Sequence, residues 1–186
     1  EMFGDPVRNP KGWEVKKLGK ILENKDSERV PVKKSDRKEM AGEYPYYGAS
    51  GIVDYVDDYL FEGPNLLIGE DGANLLSRST EIAFIADGKY WVNNHAHVLG
   101  SERINLLHYV KYFINNLDLE PYITGSAQPK LNQGNLNKIE VPLPDEQYIE
   151  EFERRLNKIT TEKTATESLL EKSEEFFSSL VQEAFN

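Results

Sequence analysis

Apolar residues recur at alternating spacings of three and four through residues 145–186, a stretch without glycine or proline. This spacing is the a/d pattern of a coiled-coil helix. Pro142 and Pro144 stop the preceding segment, and Asp145 stands where a helix N-cap is expected. Such a helix extends about 63 Å at about 1.5 Å per residue. The residues predicted to pair with a second helix are Ile149, Phe152, Leu156, Ile159, Leu170, Phe177 and Leu180, with polar interruptions at Lys163, Thr166 and Ser173.

A helix of this length requires a mate, because a surface helix is stable only when its apolar stripe is buried. The mate is a second copy of the chain, another region of a longer chain, or a different subunit. The alternative is a helix folded back on its own domain as a hairpin. No turn signal between residues 145 and 186 favours that alternative.

Upstream of this helix the pattern is that of a sheet. Residues 44–98 contain short β-rich runs separated by glycine-containing turns, which is typical of a curled or barrel-like sheet. Residues 106–117 return to helical spacing, and residues 13–22 fit a strand leading into a short helix. Residues 23–43 are polar without a period and predict a long loop. The sequence therefore predicts an α+β fold, with a curled β-rich domain followed by one long coiled-coil helix.

The chain carries a net charge of −10, which argues against DNA binding through charge alone, since phosphate affinity comes from lysine and arginine. The charge is uneven: residues 145–186 hold eleven acidic and five basic side chains, whereas residues 1–40 hold eleven basic and eight acidic ones. The absence of cysteine excludes disulfides and thiolate metal sites and suits the cytoplasm. No apolar run reaches the length of about 18 residues that predicts a transmembrane helix.

Five stretches resemble the DNA-specificity subunits of type I restriction–modification systems. They are GWEVKKLG (12–19), YPYYGASGI (44–52), HAHVLG (95–100), GSAQPKLNQGNLNKIEVPLPDEQ (125–147) and SLVQEAFN (179–186). The fourth is the most specific. Its loop, its Lys-Ile-x-Val-Pro-Leu-Pro segment and its helix beginning x-Glu-Gln resemble the family's junction between a target recognition domain and a spacer helix.

The resemblance implies a target recognition domain over residues 1–144 and a spacer or dimerisation helix over residues 145–186. Family members usually contain two such domains separated by two antiparallel helices. This chain would be one half, either a half-subunit that forms a homodimer or the C-terminal half of a longer subunit. The implied partners are double-stranded DNA, methyltransferase subunits and restriction subunits. S-adenosylmethionine and ATP would be bound by those subunits, so we expect no catalytic residue, cofactor, metal or membrane contact in this chain.

Reading a base in the major groove requires side chains that combine hydrogen-bond donors and acceptors. Gln128 and Lys130 are the first candidates because they lie in the loop that matches the family, and Arg78 follows because arginine commonly binds guanine. Lys33, Lys34 and Arg37 are expected to contact phosphates. The remaining candidate DNA-binding residues are Tyr46, Tyr47, Ser50, Asn74, Ser77, Asn93, Asn94, Ser126 and Asn132.

Other interpretations stay open at the level of sequence. The polar loop residues also fit ordinary turns that satisfy their own backbone, and the tyrosines fit a half-buried strand. The net charge of −10 suits an acidic coiled-coil adaptor that binds protein rather than DNA. His95 and His97 share one face of a strand and, with Asp87, suggest a small metal-dependent hydrolase. Neither cysteine nor an HExxH pattern supports the hydrolase.

Overall fold

The computed structural model describes residues 2–5, 8–125 and 127–185. The strands are β1 (Glu14–Lys17), β2 (Glu23–Asn24), β3 (Ala41–Gly48), β4 (Gly51–Val56), β5 (Phe61–Glu62), β6 (Asn65–Gly69), β7 (Ala83–Ala86), β8 (Lys89–Val92), β9 (Ala96–Gly100) and β10 (Glu140–Leu143). The α-helices are α1 (Lys34–Arg37), α2 (Asn74–Ser77), α3 (Ile104–Asn116), α4 (Gln133–Leu136) and α5 (Glu146–Phe185). Short 3-10 turns occupy Leu18–Lys20, Asp26–Glu28 and Glu120–Tyr122.

Two four-stranded sheets form the body of the molecule. The first is antiparallel with the order β2-β9-β6-β7, and the second has the order β4-β3-β8-β5 with β3 and β8 parallel. Strands β1 and β10 pair separately, so the N-terminal segment lies beside the strand that precedes the long helix. The predicted α+β class, with a β-rich body and one long helix, is confirmed.

The centre of the first sheet is covered on both faces. Leu66 and Ile68 belong to the main apolar cluster, which also contains α3, whereas Leu67 between them packs in a second cluster with Phe61 and Tyr90 of the other sheet. Successive strand residues point to opposite faces, so two buried faces require the continuous apolar run that β6 carries. The second sheet and α3 therefore lie on opposite sides of the first.

Helix α3 covers the first sheet with the apolar face that its spacing predicts. Leu107, Val110 and Ile114 are completely buried, and α3 contacts β7 and β6. The N-terminal segment adds an aromatic cluster that the sequence did not predict. The Phe3 ring packs edge-on against Trp13, Tyr109 and Phe152, with centroids 5.8, 5.0 and 5.1 Å away. This cluster fixes the root of α5 to the body.

Helix α5 is a single unbroken helix of 40 residues. Its first turns pack on α3, where His108 lies 2.7 Å from the Glu153 carboxylate, and Ile149 belongs to the core. From residue 157 to residue 185 every position is exposed, so the helix leaves the body instead of folding back on it. The division into domains 1–144 and 145–186 stays a prediction, because the first turns of α5 belong to the core.

The predicted loop over residues 23–43 is mostly irregular, with β2, one 3-10 turn and α1 as its short regular pieces, and β3 already begins at Ala41. Within the described part of the chain, no helix combines the length and the apolar character that crossing a membrane requires.

Candidate nucleic-acid interface

Three loops meet at one edge of the body. In the turn after β6, the Glu70 amide donates to the His95 carbonyl at 2.8 Å, and the Gly72 amide donates to the Pro129 carbonyl at 3.0 Å. These bonds join the loop between β8 and β9 to the loop that precedes α4. We call this joint surface, formed by Ser50, Asp71, Asn93–His95 and Gln128–Lys130, the loop surface.

The β3–β4 hairpin end joins the loop surface through a close approach at Gly69. A Cβ atom on Gly69 would lie 2.8 Å from the Ala49 carbonyl oxygen, so the backbones touch only because this residue has no side chain. The Asn93 amide also donates to the Tyr47 carbonyl at 3.0 Å. Ser50 and Asn94 are both exposed, and each lies two residues after the end of one of the paired strands β3 and β8.

A network of buried charges lies beneath the loop surface. Arg29 donates to the Glu70 carboxylate at 2.9 Å and to the Ala96 carbonyl at 2.6 Å, although its side chain is only 12% exposed. The Asp26 carboxylate accepts from the Val98 amide at 2.9 Å and lies 2.6 Å from Nδ1 of His97. The network therefore joins the polar segment 26–29 to β9 and to the turn after β6.

The same network fixes the loop that matches the family motif. Nε2 of His97 lies 2.7 Å from the Leu131 carbonyl oxygen, and Lys130 forms an ion pair with Glu70 at 3.0 Å. Gln133 donates to the Asn24 side chain at 2.7 Å. Both ring nitrogens of His97 therefore lie within hydrogen-bonding distance of an oxygen atom. The loop before α4 is thus anchored to a charged, mostly buried foundation.

The two carboxylates of the network stay ionised although they are largely buried. Burial acts to raise the pKa of Asp26, but the bond and charge of His97, with the Val98 amide, outweigh it and lower the pKa below 3.8. Burial likewise acts to raise the pKa of Glu70, and the bonds from Arg29 and Lys130 lower it below 4.5. Both carboxylates are therefore stabilised in the folded chain by the cations that surround them.

These shifts predict a stability that decreases in acid. The folded chain binds fewer protons than the unfolded chain at pH values just below 4.5 and 3.8, the ordinary pKa values of Glu70 and Asp26. The two ionised carboxylates contribute their full stabilisation above these pKa values. This stabilisation is lost as the pH falls through their lower pKa values in the folded chain. We expect the urea midpoint to decrease from about pH 5 to about pH 3, and to decrease less in Asp26→Asn.

Glu151→Gln provides the matched control for this experiment. The Glu151 carboxylate also has a lowered pKa, from its bonds to Arg155 and Arg154, but both arginines are exposed on α5, where solvent screens these ion pairs. This variant should keep the acid dependence of the wild type. A urea midpoint that is constant across the same pH range would show that the buried carboxylates do not contribute to stability.

Comparison with known proteins decides the family. The family model of the type I restriction modification DNA specificity domain matches residues 10–171. The chain belongs to this family. A relative from Haemophilus influenzae, named as a type I restriction enzyme specificity subunit, is 38% identical over 133 residues, covering 70% of this chain and 33% of the relative. The specificity subunit of the type I restriction enzyme EcoprrI of Escherichia coli is 28% identical over 130 residues, covering 69% and 31%. The chain spans about a third of the length of these curated relatives.

Solved structures of the same class share the fold. The S subunit of the type I restriction–modification system of M. genitalium superposes with a TM-score of 0.51 at 12% identity, over 71% of this chain and 34% of that one. A chain from a structure of type I R-M complex assembly and conformational transition superposes with a TM-score of 0.58 at 14% identity, over 84% and 40%. At these identities the likeness establishes the architecture of the specificity domain alone.

The structure corrects the prediction for Tyr46. Its ring is completely buried, stacks on Trp91 at 6.4 Å, and its hydroxyl accepts from the Val32 amide at 3.0 Å. It has no surface with which to contact DNA. Tyr47 is half-buried between Phe84 and Tyr90, and burial raises the pKa of its phenol. The half-buried strand interpretation therefore describes these tyrosines.

Asn74 and Arg78, two other candidates for DNA contact, have hydrogen-bond partners within the chain. The guanidinium of Arg78 donates to the Asn115 carbonyl at 2.9 Å and to the Leu117 carbonyl, so it caps the C-terminus of α3. The Asn74 side chain closes its own turn through the Thr80 amide at 3.0 Å and the Ser79 hydroxyl at 3.0 Å. These side chains use their polar atoms within the specificity domain, whereas Ser77 stays an exposed candidate.

The basic residues of α1 lie along the hairpin. Arg37 pairs with Asp54 of β4 at 2.8 Å and covers the Tyr46 ring at 4.7 Å, while Lys33 and Lys34 are exposed. Because Arg37 already has a carboxylate partner, the two lysines are the better candidates for phosphate contacts.

The loop before α4 carries the remaining candidates. Gln128 and Lys130 are exposed on the loop surface, and Asn132 caps α4 by accepting from the Asn135 amide at 3.0 Å. Asn93 is buried, and its side chain accepts from the His95 amide at 2.7 Å, so it supports the loop from below. The prediction for Ser126 lies outside the described residues.

The ligand set of the hydrolase alternative is not assembled. His95 pairs with Asp71 at the surface, whereas His97 points inward to Asp26, and Asp87 accepts from the Gly88 amide in the turn after β7. Ligand atoms of Asp26, Glu70 and His97 lie within 4.8 Å of one another. Arg29 and Lys130 already neutralise those carboxylates, so a divalent cation would be repelled there.

The predicted seam of α5 divides into two parts. Ile149 is buried in the core, and Phe152 packs against the Tyr112 ring at 5.5 Å, so the body and not a second helix covers Ile149. Leu156 is half-buried at the point where the helix leaves the body. The exposed apolar residues of the seam are Ile159, Leu170, Phe177 and Leu180.

Proposed function

We propose that this chain recognises one half of a split target in double-stranded DNA and directs partner methyltransferase and restriction subunits to it. The observation that carries the proposal is the match of the DNA specificity domain over residues 10–171. The loop surface supports it, because amide, hydroxyl and amino groups at Ser50, Asn94 and Gln128 stand exposed on an anchored foundation. Such side chains supply the donors and acceptors that a base edge requires.

We propose that the chain itself is not catalytic. S-adenosylmethionine and ATP would be bound by the methyltransferase and restriction subunits, which perform methylation and cleavage. The chain contributes position: Lys33 and Lys34 would contact phosphates, and the exposed side chains of the loop surface, Gln128 and Lys130 first among them, would select the bases.

We also propose that the exposed seam of α5 pairs with the same helix of a second copy. Phe176 and Phe185 add to the apolar surface of α5, which is exposed from residue 157 onward. An apolar surface of this extent is typical of a protein-binding site. A parallel mate would place two bodies side by side at the same end. An antiparallel mate places its free end at the root of α5 and the two bodies at opposite ends.

The root of α5 offers space for that free end. A groove of about 530 Å³ lies there, and Phe3, Trp13, Tyr112, Leu156 and Ile159 are among its lining residues. One register of an antiparallel pair places Leu156 opposite Leu180 and Ile159 opposite Phe177. The same register places Lys163 opposite Ser173. This register pairs two apolar positions with apolar ones and Lys163 with the polar Ser173, while Thr166 lies opposite Leu170. The helix pair would separate two recognition domains by about 60 Å, so the target consists of two half-sites with an unread gap.

Binding of random duplexes tests this function. In the presence of its methyltransferase subunits, the chain should enrich a two-part motif from a randomised duplex library. The affinity for the enriched duplex should decrease by about tenfold or more between about 50 and 200 mM salt if a few phosphates are neutralised. Recovery of no motif, with no duplex binding even at low salt, would instead favour a protein-binding adaptor.

A further inference from the structure

His95 is a surface residue that is held at three points. Its backbone amide donates to the Asn93 side chain at 2.7 Å, and its backbone carbonyl accepts from the Glu70 amide at 2.8 Å. Nδ1 of the ring lies 2.9 Å from each of the two Asp71 carboxylate oxygens. The side chain is nevertheless 49% exposed. An exposed ring with a fixed orientation is uncommon for a loop residue, since surface side chains normally sample several rotamers.

Asp71 is suited to orienting this ring. Its side chain is only 14% exposed, and its backbone forms a bridge with Lys130 in the neighbouring loop. The carboxylate accepts hydrogen bonds, so Nδ1 of His95 is the nitrogen that carries the proton. Within residues 2–5, 8–125 and 127–185, no group bonds Nε2 of His95. The geometry thus holds one polar atom outward, without a partner, on the loop surface.

We propose that Nε2 of His95 makes a hydrogen bond to a base edge in the major groove, and that Asp71 positions it. This inference rests on the proposed function of DNA recognition. A neutral ring accepts from the amino group of cytosine or adenine, whereas a charged ring donates to guanine O6 or N7. A ring that is ordered before binding loses little rotamer freedom when DNA arrives. Asn74 and Arg78, by contrast, already use their polar atoms within the chain.

The test compares variants of the whole chain, with methyltransferase subunits present, by selection from a randomised duplex library. His95→Ala should keep the two-part motif but lose about tenfold of its preference at a single base pair. An unchanged motif in His95→Ala would overturn the inference while leaving the proposed function intact.

Substitution of Asp71 provides a second test, because a purely electrostatic role of this residue predicts a different result from a positioning role. Removing an anion from a DNA-facing surface should raise the affinity for random duplexes. If Asp71 positions His95, Asp71→Ala should raise that affinity and still weaken the preference at the same base pair as His95→Ala. Asp71→Asn should restore most of the preference, because its side-chain oxygen still accepts from Nδ1. A preference that Asp71→Ala leaves unchanged would overturn the positioning role.

His108→Ala is the matched control. The His108 ring also lies 2.7 Å from a carboxylate, that of Glu153, but it sits between α3 and α5, away from the loop surface. This variant should return the wild-type motif, and loss of preference there would overturn the assignment of the effect to the loop surface. Failure of the wild-type chain to enrich any motif would overturn the proposed function, and this inference with it.

Discussion

Replacing Arg29 by methionine is expected to lower the free energy of unfolding by about 3–5 kcal/mol. Methionine keeps much of the volume but removes the cation that faces Glu70 at 2.9 Å and Asp26 at 3.5 Å. Two largely buried carboxylates then lose a partner, and an unpaired buried charge is costly. The Ala96 carbonyl loses its donor as well. Urea unfolding followed by circular dichroism measures the change.

Arg154→Met is the control for this prediction. Arg154 also forms a close ion pair, with Glu151 at 2.6 Å, but its side chain is 72% exposed on α5. Exposed pairs of this kind contribute roughly 0–1 kcal/mol. Equal effects of the two substitutions would contradict the claim that the network beneath the loop surface stabilises the body. The Arg29 variant should also bind DNA less selectively, because Glu70 and His97 no longer fix the loop before α4.

Replacing Phe177 by glutamate is expected to weaken the association of two copies by at least about 100-fold. The Phe177 side chain is 68% exposed in one copy, so the change leaves the core untouched. In the proposed pair it faces Ile159 of the mate, where a carboxylate would be buried without a partner. Sedimentation equilibrium measures the dissociation constant. Gln182→Glu, on the opposite face of α5, should associate like the wild type.

Engineered cysteines determine the direction of the pair, because the chain has no cysteine of its own. Ile159→Cys chains mixed with Phe177→Cys chains should form a disulfide-linked dimer on mild oxidation. Neither variant should crosslink by itself, since antiparallel helices keep identical positions far apart. Crosslinking of Ile159→Cys with itself would contradict the antiparallel arrangement. A wild-type chain that stays monomeric at high concentration would contradict self-pairing altogether.

The regular elements could be predicted because each follows one period. Helix α5 carries an unbroken three–four spacing without glycine or proline, and it is continuous from Glu146 to Phe185. Helix α3 and the short strands likewise reflect local patterns that a single stretch of sequence contains. Which residues of the α5 seam are buried by the body was less predictable, since only the tertiary structure shows that Ile149 belongs to the core. Where the helix leaves the body depends on contacts with Phe3, a residue far away in sequence.

The buried network could not be predicted from periodicity. Asp26 and Arg29 lie in a polar stretch that has the composition of a loop, and their partners Glu70 and His97 are about forty to seventy residues away. Polar residues that pair across the fold leave no repeating signal in the sequence. The same reason explains His95, whose role depends on Asp71, a residue that belongs to another loop. The pairing of β9 with β2 on one side and with β6 on the other brings these partners together.

Methylated-base sequencing of the source genome tests the central claim most directly. With the gene intact, we expect a methylated motif of two short specified parts separated by an unspecified gap. Deletion of the gene should remove that methylation, and restoring it with His95→Ala should leave one base pair of the motif unspecified. Persistence of every methylated motif after the deletion would contradict the claim that this chain selects the DNA target.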